Sequence, residues 1–121
     1  MDEYKVKFFV DPENGFNPVK EYLDKISDKE REKIFKYVEF LRERRGVLDE
    51  PYTKHLRGKI RELRVDFSRN RHRIFFFTFV GKNIILLHAF LKRTAQTPES
   101  EITKAFNNYY KVLKNYKSYE E

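Results

Sequence analysis

Three strand-length runs, Ile60 to Phe67, Arg71 to Val80 and Asn83 to Leu91, follow one another with only a few residues between them. Strands joined by such short links must pair antiparallel, because a parallel return needs a crossover of a dozen or more residues. Gly81-Lys82 marks a tight turn between the last two runs. Upstream, Tyr4 to Val10 alternates loosely and is rich in Val and Phe, so it reads as a first strand, which Asp11-Pro12-Glu13-Asn14-Gly15 breaks. Asn17 before Pro18 is an N-cap with Pro at the first helical position, and Val19, Tyr22, Leu23 and Ile26 give a short apolar stripe. Ser27 with Glu30 fits a capping box opening a second helix, with Ile34, Val38 and Leu41 on one face and Gly46 placed to stop it.

A loop is expected from Val47 to Lys59. After the meander, Thr97-Pro98-Glu99 reads as N-cap, Pro and early acid, and Ile102, Ala105, Phe106, Tyr109 and Leu113 form the stripe of a last helix. The tail beyond Tyr116 is expected to fray. The expected fold is therefore α+β: an N-terminal strand, a helical hairpin, a three-stranded antiparallel meander and a C-terminal helix. One layer of helices is expected on one sheet, in a single domain spanning residues 1–121.

Composition supports a packed core in a charged shell. Twelve Phe and eight Tyr accompany 37% charged residues, against about 25% in typical domains. The absence of Cys rules out disulfide frameworks and thiolate metal sites and suits a reducing cytoplasm. The first residues, Met1-Asp2-Glu3-Tyr4-Lys5, show no basic segment followed by an apolar run, and the longest apolar stretch, Ile74 to Val80, is far short of the ~20 residues that span a bilayer. A cytoplasmic protein without membrane partners is the expectation.

Charge is concentrated. Between Lys54 and Arg73 stand eight Lys or Arg against Glu62 and Asp66, so nearly all of the formal +7 lies there. Such a stripe is an electrostatic footprint for phosphate, with affinity that falls steeply with salt. An acidic protein would satisfy the same charges, and a plain surface function is the bland alternative.

Alternation along the strands aims Arg64 away from the core. It also sets Arg73 with Phe75 and Phe77, and keeps His88 and Phe90 in phase with Lys92. Arg64, Arg73, His88 and Lys92 are thus expected to converge on a face lined with Phe. Cations and aromatic rings together suit single-stranded RNA. RNA also carries its own nucleophile, the 2′-hydroxyl, which needs orientation, charge stabilisation and proton transfer rather than a metal. Each residue has a duller reading. His88 in an apolar strand is more often a bonded core histidine, and His55 and His72 are weaker still. Phe75, Phe77 and Phe79 suit a second core layer as well as base stacking, and Glu62 beside Arg64 reads as a surface pair before it reads as an orienting group. Three scattered His and four Gly form no metal motif, Walker loop or dinucleotide fingerprint.

Four ordered segments carry a family resemblance: Lys54-His55-Leu56-Arg57-Gly58-Lys59-Ile60-Arg61-Glu62-Leu63-Arg64, His72-Arg73-Ile74-Phe75-Phe76-Phe77, Leu86-Leu87-His88-Ala89-Phe90-Leu91-Lys92-Arg93-Thr94, and Gln96-Thr97-Pro98-Glu99. The set resembles the phage-derived, HigB-like branch of the RelE toxin superfamily over residues 54–106. That resemblance implies the toxin of a toxin–antitoxin pair: a ribosome-dependent mRNA endonuclease, metal-independent and cofactor-free, silenced by a cognate antitoxin of helix-turn-helix type. By position, Arg64 and Arg73 would bind and polarise the phosphate, and Lys92 or Arg93 would brace the leaving side. Lys54, Arg57, Lys59, Arg61 and Arg71, with Phe75 and Phe90, make up the expected RNA-binding set. Many RelE-type toxins carry a catalytic Tyr in or just before the last helix. Here Thr94-Ala95-Gln96-Thr97-Pro98-Glu99 stands in that region, which leaves the general base open, with His88 as the candidate. Two other readings keep the fold: a ParE-like toxin that inhibits gyrase by binding, and an RNA-binding domain without catalysis.

Overall fold

The computed structural model describes residues 3–79 and 81–120. Met1 and Asp2 of the expected leaderless start and Val80, the expected end of the second meander strand, lie outside the described residues, as does Glu121. The elements run β1 (Lys5–Phe8), α1 (Pro18–Asp24), α2 (Asp28–Glu43), β2 (Thr53–Arg57), β3 (Ile60–Phe67), β4 (Asn70–Phe79), β5 (Asn83–Lys92), α3 (Glu99–Lys114) and a 3₁₀ turn (Tyr116–Tyr119). The α+β class is as expected. The sheet has five strands in the order β1-β5-β4-β3-β2, with β1 parallel to β5 and the other pairs antiparallel. Among the described residues no helix is long and apolar enough to cross a membrane.

Local signals in the sequence act as read. Asn17 Oδ1 accepts from the Lys20 backbone N–H at 3.1 Å, and Ser27 Oγ accepts from that of Glu30 at 3.2 Å. Helix α2 ends with the Gly46 N–H donating to the Leu41 carbonyl at 2.8 Å, while Arg45 and Gly46 both take positive φ. Gly46 is required twice over, because a Cβ there would also meet Thr78 Oγ1 at 2.5 Å.

Four expectations are corrected. The loop from Val47 to Lys59 contains β2, which pairs with β3 as the sheet's edge and makes the meander four-stranded. Its Lys54, His55 and Arg57 are exposed, and a charged edge strand discourages pairing with another chain while concealing the strand pattern. The helices do not form one layer. Val19, Leu23, Ile34, Val38 and Leu41 of α1 and α2 pack on Leu63, Val65, Ile74, Phe76, Ile84 and Leu86. On the opposite face, Ile102, Ala105 and Val112 of α3 pack on Ile60, Phe75, Phe77, Ile85 and Leu87. Thr97 does not cap α3, whose N-cap position is Pro98 without a side-chain cap. The end of the chain is not frayed through Tyr119, which is buried; its hydroxyl accepts from the Val10 N–H at 3.2 Å.

One polar chain ties both helices of the first layer to β4. Asn70 Nδ2 donates to Glu30 Oε2 at 2.7 Å, His72 Nε2 lies 2.8 Å from the same oxygen, and Tyr22 Oη lies 2.6 Å from His72 Nδ1. These bonds, that of Asn70 first, hold the Glu30 carboxyl down to about 2 against the opposing effect of burial. Glu30 is therefore ionised, which assigns the proton of a neutral His72 to Nε2 and leaves Nδ1 to accept from Tyr22. A carboxyl whose folded pKa is depressed stabilises the fold above its ordinary value of 4.5 and loses that contribution as pH falls toward 2. Urea denaturation should accordingly show stability dropping across that window. Glu30→Gln should remove much of the drop and cost about 1–3 kcal/mol at neutral pH through weakened bonds to buried donors.

Candidate nucleic-acid interface

The face that carries α3 changes character along its length. Phe75 is fully buried, Arg73, its neighbour on that face of β4, is only 2% exposed, and Arg71 beyond it is half-buried. On β3 the same direction runs from buried Glu62 to half-buried Arg64 and exposed Asp66, and on β5 from buried Phe90 to half-buried Lys92. Register sets these residues side by side: Arg64 opposite Arg73, Asp66 opposite Arg71, and Arg71 opposite Lys92. Lys54 of β2 stands opposite Glu62 and extends the set toward the sheet edge.

Four cations, Arg64, Arg71, Arg73 and Lys92, thus meet two carboxylates. Glu62 Oε1 lies 3.6 Å from Arg64 Nε, and Glu62 Oε2 accepts from Thr97 Oγ1 at 3.3 Å. Glu62 is buried, which corrects its reading as an ordinary surface pair: it braces Arg64 and fastens the loop before α3. Arg73 Nη1 donates to Asp66 Oδ1 at 2.8 Å and to the His72 carbonyl at 3.0 Å, while its Nε is buried with no hydrogen-bond partner. Burying a guanidinium is costly unless its donors are matched, and each unmatched one costs about 1–3 kcal/mol. Lys92 is held below the ordinary lysine range, first by burial and then by the charges of Arg73, Arg64 and Arg71, with Glu62 opposing. The arrangement is an electropositive, partly buried patch suited to an oxyanion.

Other expected members are placed elsewhere. A bulge between β4 and β5 pairs Phe75 with His88 and Phe76 with Leu86, leaving Leu87 over. His88 turns toward α3, where its Nε2 lies 2.5 Å from Glu101 Oε1, between the rings of Phe75 and Phe90. Burial lowers the His88 pKa, with Glu101 opposing. His88 also lies four residues from Lys92, roughly 13 Å along the strand, and lines a cleft of about 420 Å³ with Tyr22, Lys104 and Asn108. It is thus a bonded core histidine apart from the cation cluster, not a member of it. Arg93 is exposed just past β5, and its charge is felt at Tyr22 of α1. Arg61, opposite Phe76, points to the α1–α2 side and donates to Thr53 Oγ1 at 3.1 Å. Arg57 is exposed and paired with Glu99 at 3.0 Å, and Lys59 is exposed in the turn before β3.

Phe75 and Phe90 belong to the core beneath α3. Exposing a buried Phe costs about 1.5–3 kcal/mol, much what a stacked base returns at ~1–3 kcal/mol. Base stacking therefore supplies no net reason to uncover them. The residues that sequence reasoning missed are Asp66, Thr97 and the burial of Glu62. The i, i+2 spacing of Glu62, Arg64 and Asp66 on one strand face signalled the two acids, and nothing local signalled Thr97. Glu62→Gln removes the carboxylate that raises the Lys92 pKa, so Lys92 should titrate at still lower pH in side-chain NMR; an unchanged titration would separate the two groups.

A family model described as phage derived protein Gp49-like (DUF891) matches residues 21–110, from α1 through most of α3 and across the whole cation cluster. Among curated proteins none matches the chain.

Proposed function

This chain belongs to the Gp49-like family of phage derived proteins, and from that premise we propose that it is the toxin of a toxin–antitoxin pair, a ribosome-dependent endoribonuclease that cuts mRNA. The observation that carries the reading is Arg73: a buried guanidinium with an unmatched Nε, flanked by Arg64 and Lys92 and opposed by fewer carboxylates than cations. The buried charge of Arg73 adds to that of half-buried Arg64 and Lys92, which are open to a phosphodiester oxygen.

In this reading the scissile phosphate sits on Arg64 and Arg73. The adjacent 2′-hydroxyl attacks phosphorus in line, its proton passing to solvent, and the bond to the 5′-oxygen breaks to leave a 2′,3′-cyclic phosphate and a 5′-hydroxyl. The two guanidiniums stabilise the charge that grows on the equatorial oxygens. Lys92, with its depressed pKa, delivers a proton to the leaving 5′-oxygen more readily than an ordinary lysine. The chemistry calls for no cofactor because the nucleophile belongs to the substrate. Arg71 and Lys54 continue the basic track for neighbouring phosphates, and Glu62 positions Arg64. His88 and Arg93 stand outside the reacting centre in this assignment.

Primer extension on programmed ribosomes and on naked mRNA tests the reading. Cuts should appear with ribosomes, and Arg64→Ala and Lys92→Ala should each slow them by about 10²–10³-fold. Because Arg73 is buried, Arg73→Lys is the informative change there: it keeps the charge, loses the bidentate fork, and should reduce cleavage while leaving the circular dichroism spectrum intact. His88→Gln should leave cleavage within about tenfold of the parent. No cleavage with either template would sink the nuclease reading, and toxicity surviving Arg64→Ala would favour action on gyrase.

A further inference from the structure

Helix α3 is apolar on two flanks. Ile102, Ala105 and Val112 are buried on the sheet. Thr103, Phe106, Tyr110 and Leu113 follow a 3-4-3 spacing and lie about a quarter-turn further round, the seam a second helix packs against. Tyr110 is 55% and Leu113 39% exposed. The seam runs ~15 Å along the helix, beside a trough of about 310 Å³ bordered by Phe106, Tyr110 and Arg57. An exposed, ordered apolar stripe of this kind marks an interaction surface.

Charge and ring geometry select the occupant. Lys114 and Lys117 flank the far end of the seam, and neither forms an ion pair with a carboxylate among the described residues; Arg57 at the near end is already paired with Glu99. A second copy seated antiparallel would set these lysines against the near end of the seam, where Glu99 is already held by Arg57. For RNA the seam offers crowded rings, since Phe106, Tyr109 and Tyr110 pack against one another with centroids 5.3–6.2 Å apart, and Leu113 offers no face for a base. We infer that this flank of α3 is the docking face for an acidic amphipathic helix of a partner protein. Naming that partner the antitoxin rests on the toxin reading, whereas the docking face does not depend on RNA cleavage.

The test uses the full chain and a labelled helical peptide of roughly three heptads with Leu at the a and d positions and Glu elsewhere. Its counterpart has Lys for Glu. Fluorescence anisotropy should show the Glu peptide binding in about the micromolar range, at least tenfold more tightly than the Lys peptide, and weakening with salt. Leu113→Glu and Tyr110→Glu, both at exposed positions, should each abolish that binding with Tm and mRNA cleavage unchanged. Equal binding of both peptides, or binding untouched by these variants, overturns the inference. So does loss of RNA binding in Leu113→Glu, which would make the seam a nucleic-acid face. A dimer in sedimentation that Leu113→Glu dissolves would assign the face to a second copy instead. Loss of peptide binding with retained cleavage, or the reverse in Arg64→Ala, keeps the fate of this inference distinct from that of the nuclease reading.

Discussion

Burial of the central strands on both faces governs the rest of this molecule. Strands β4 and β5 lie between the α1–α2 layer and α3, so Ile74 to Phe77 and Ile84 to Leu87 are apolar without alternation. A sheet covered on both sides can carry charge only where the cover ends. On the α3 face it ends toward the start of β4 and the close of β5, and there Arg73, Arg64, Arg71 and Lys92 appear. The rigid apolar part of the sheet thus fixes the cations in register.

Two carboxylates make that cluster tolerable without neutralising it. Glu62 restrains Arg64 and receives Thr97, so the loop leading to α3 is fastened to the cations it borders. Asp66 holds one end of the Arg73 fork and leaves Nε unmatched. Full pairing would have favoured folding and closed the site to an anion; the arrangement present retains electropositive potential. The same helix that closes the core on this face offers its outer flank to solvent. The proposed phosphate site and the proposed docking face therefore adjoin a shared element while using different side chains.

Part of this was legible residue by residue. The caps at Asn17 and Ser27, the meander strands and the shared face of Arg64, Arg73 and Lys92 follow from side-chain chemistry and a period of two, which act over a few residues. Strand β2 was concealed because an edge strand protects itself with charge, and Lys54, His55 and Arg57 look like a loop. His88 was in phase with Lys92 yet separate from it, because the two stand four residues apart along the strand and the bond to Glu101 holds His88 under α3. Arg61 counted toward the stripe but points to the other side of the sheet.

The sequence by itself determined the α+β order of elements, the density of positive charge and which cations share a strand face, since these depend on local periodicity and composition. The tertiary structure alone decided that α3 lies opposite α1 and α2. It also decided that Phe75 and Phe90 are core, that Glu62 is buried and that Arg73 lacks a partner for one nitrogen. Each of these depends on which side of the sheet a distant helix covers, and a strand buried on both faces has lost the alternation that would announce it.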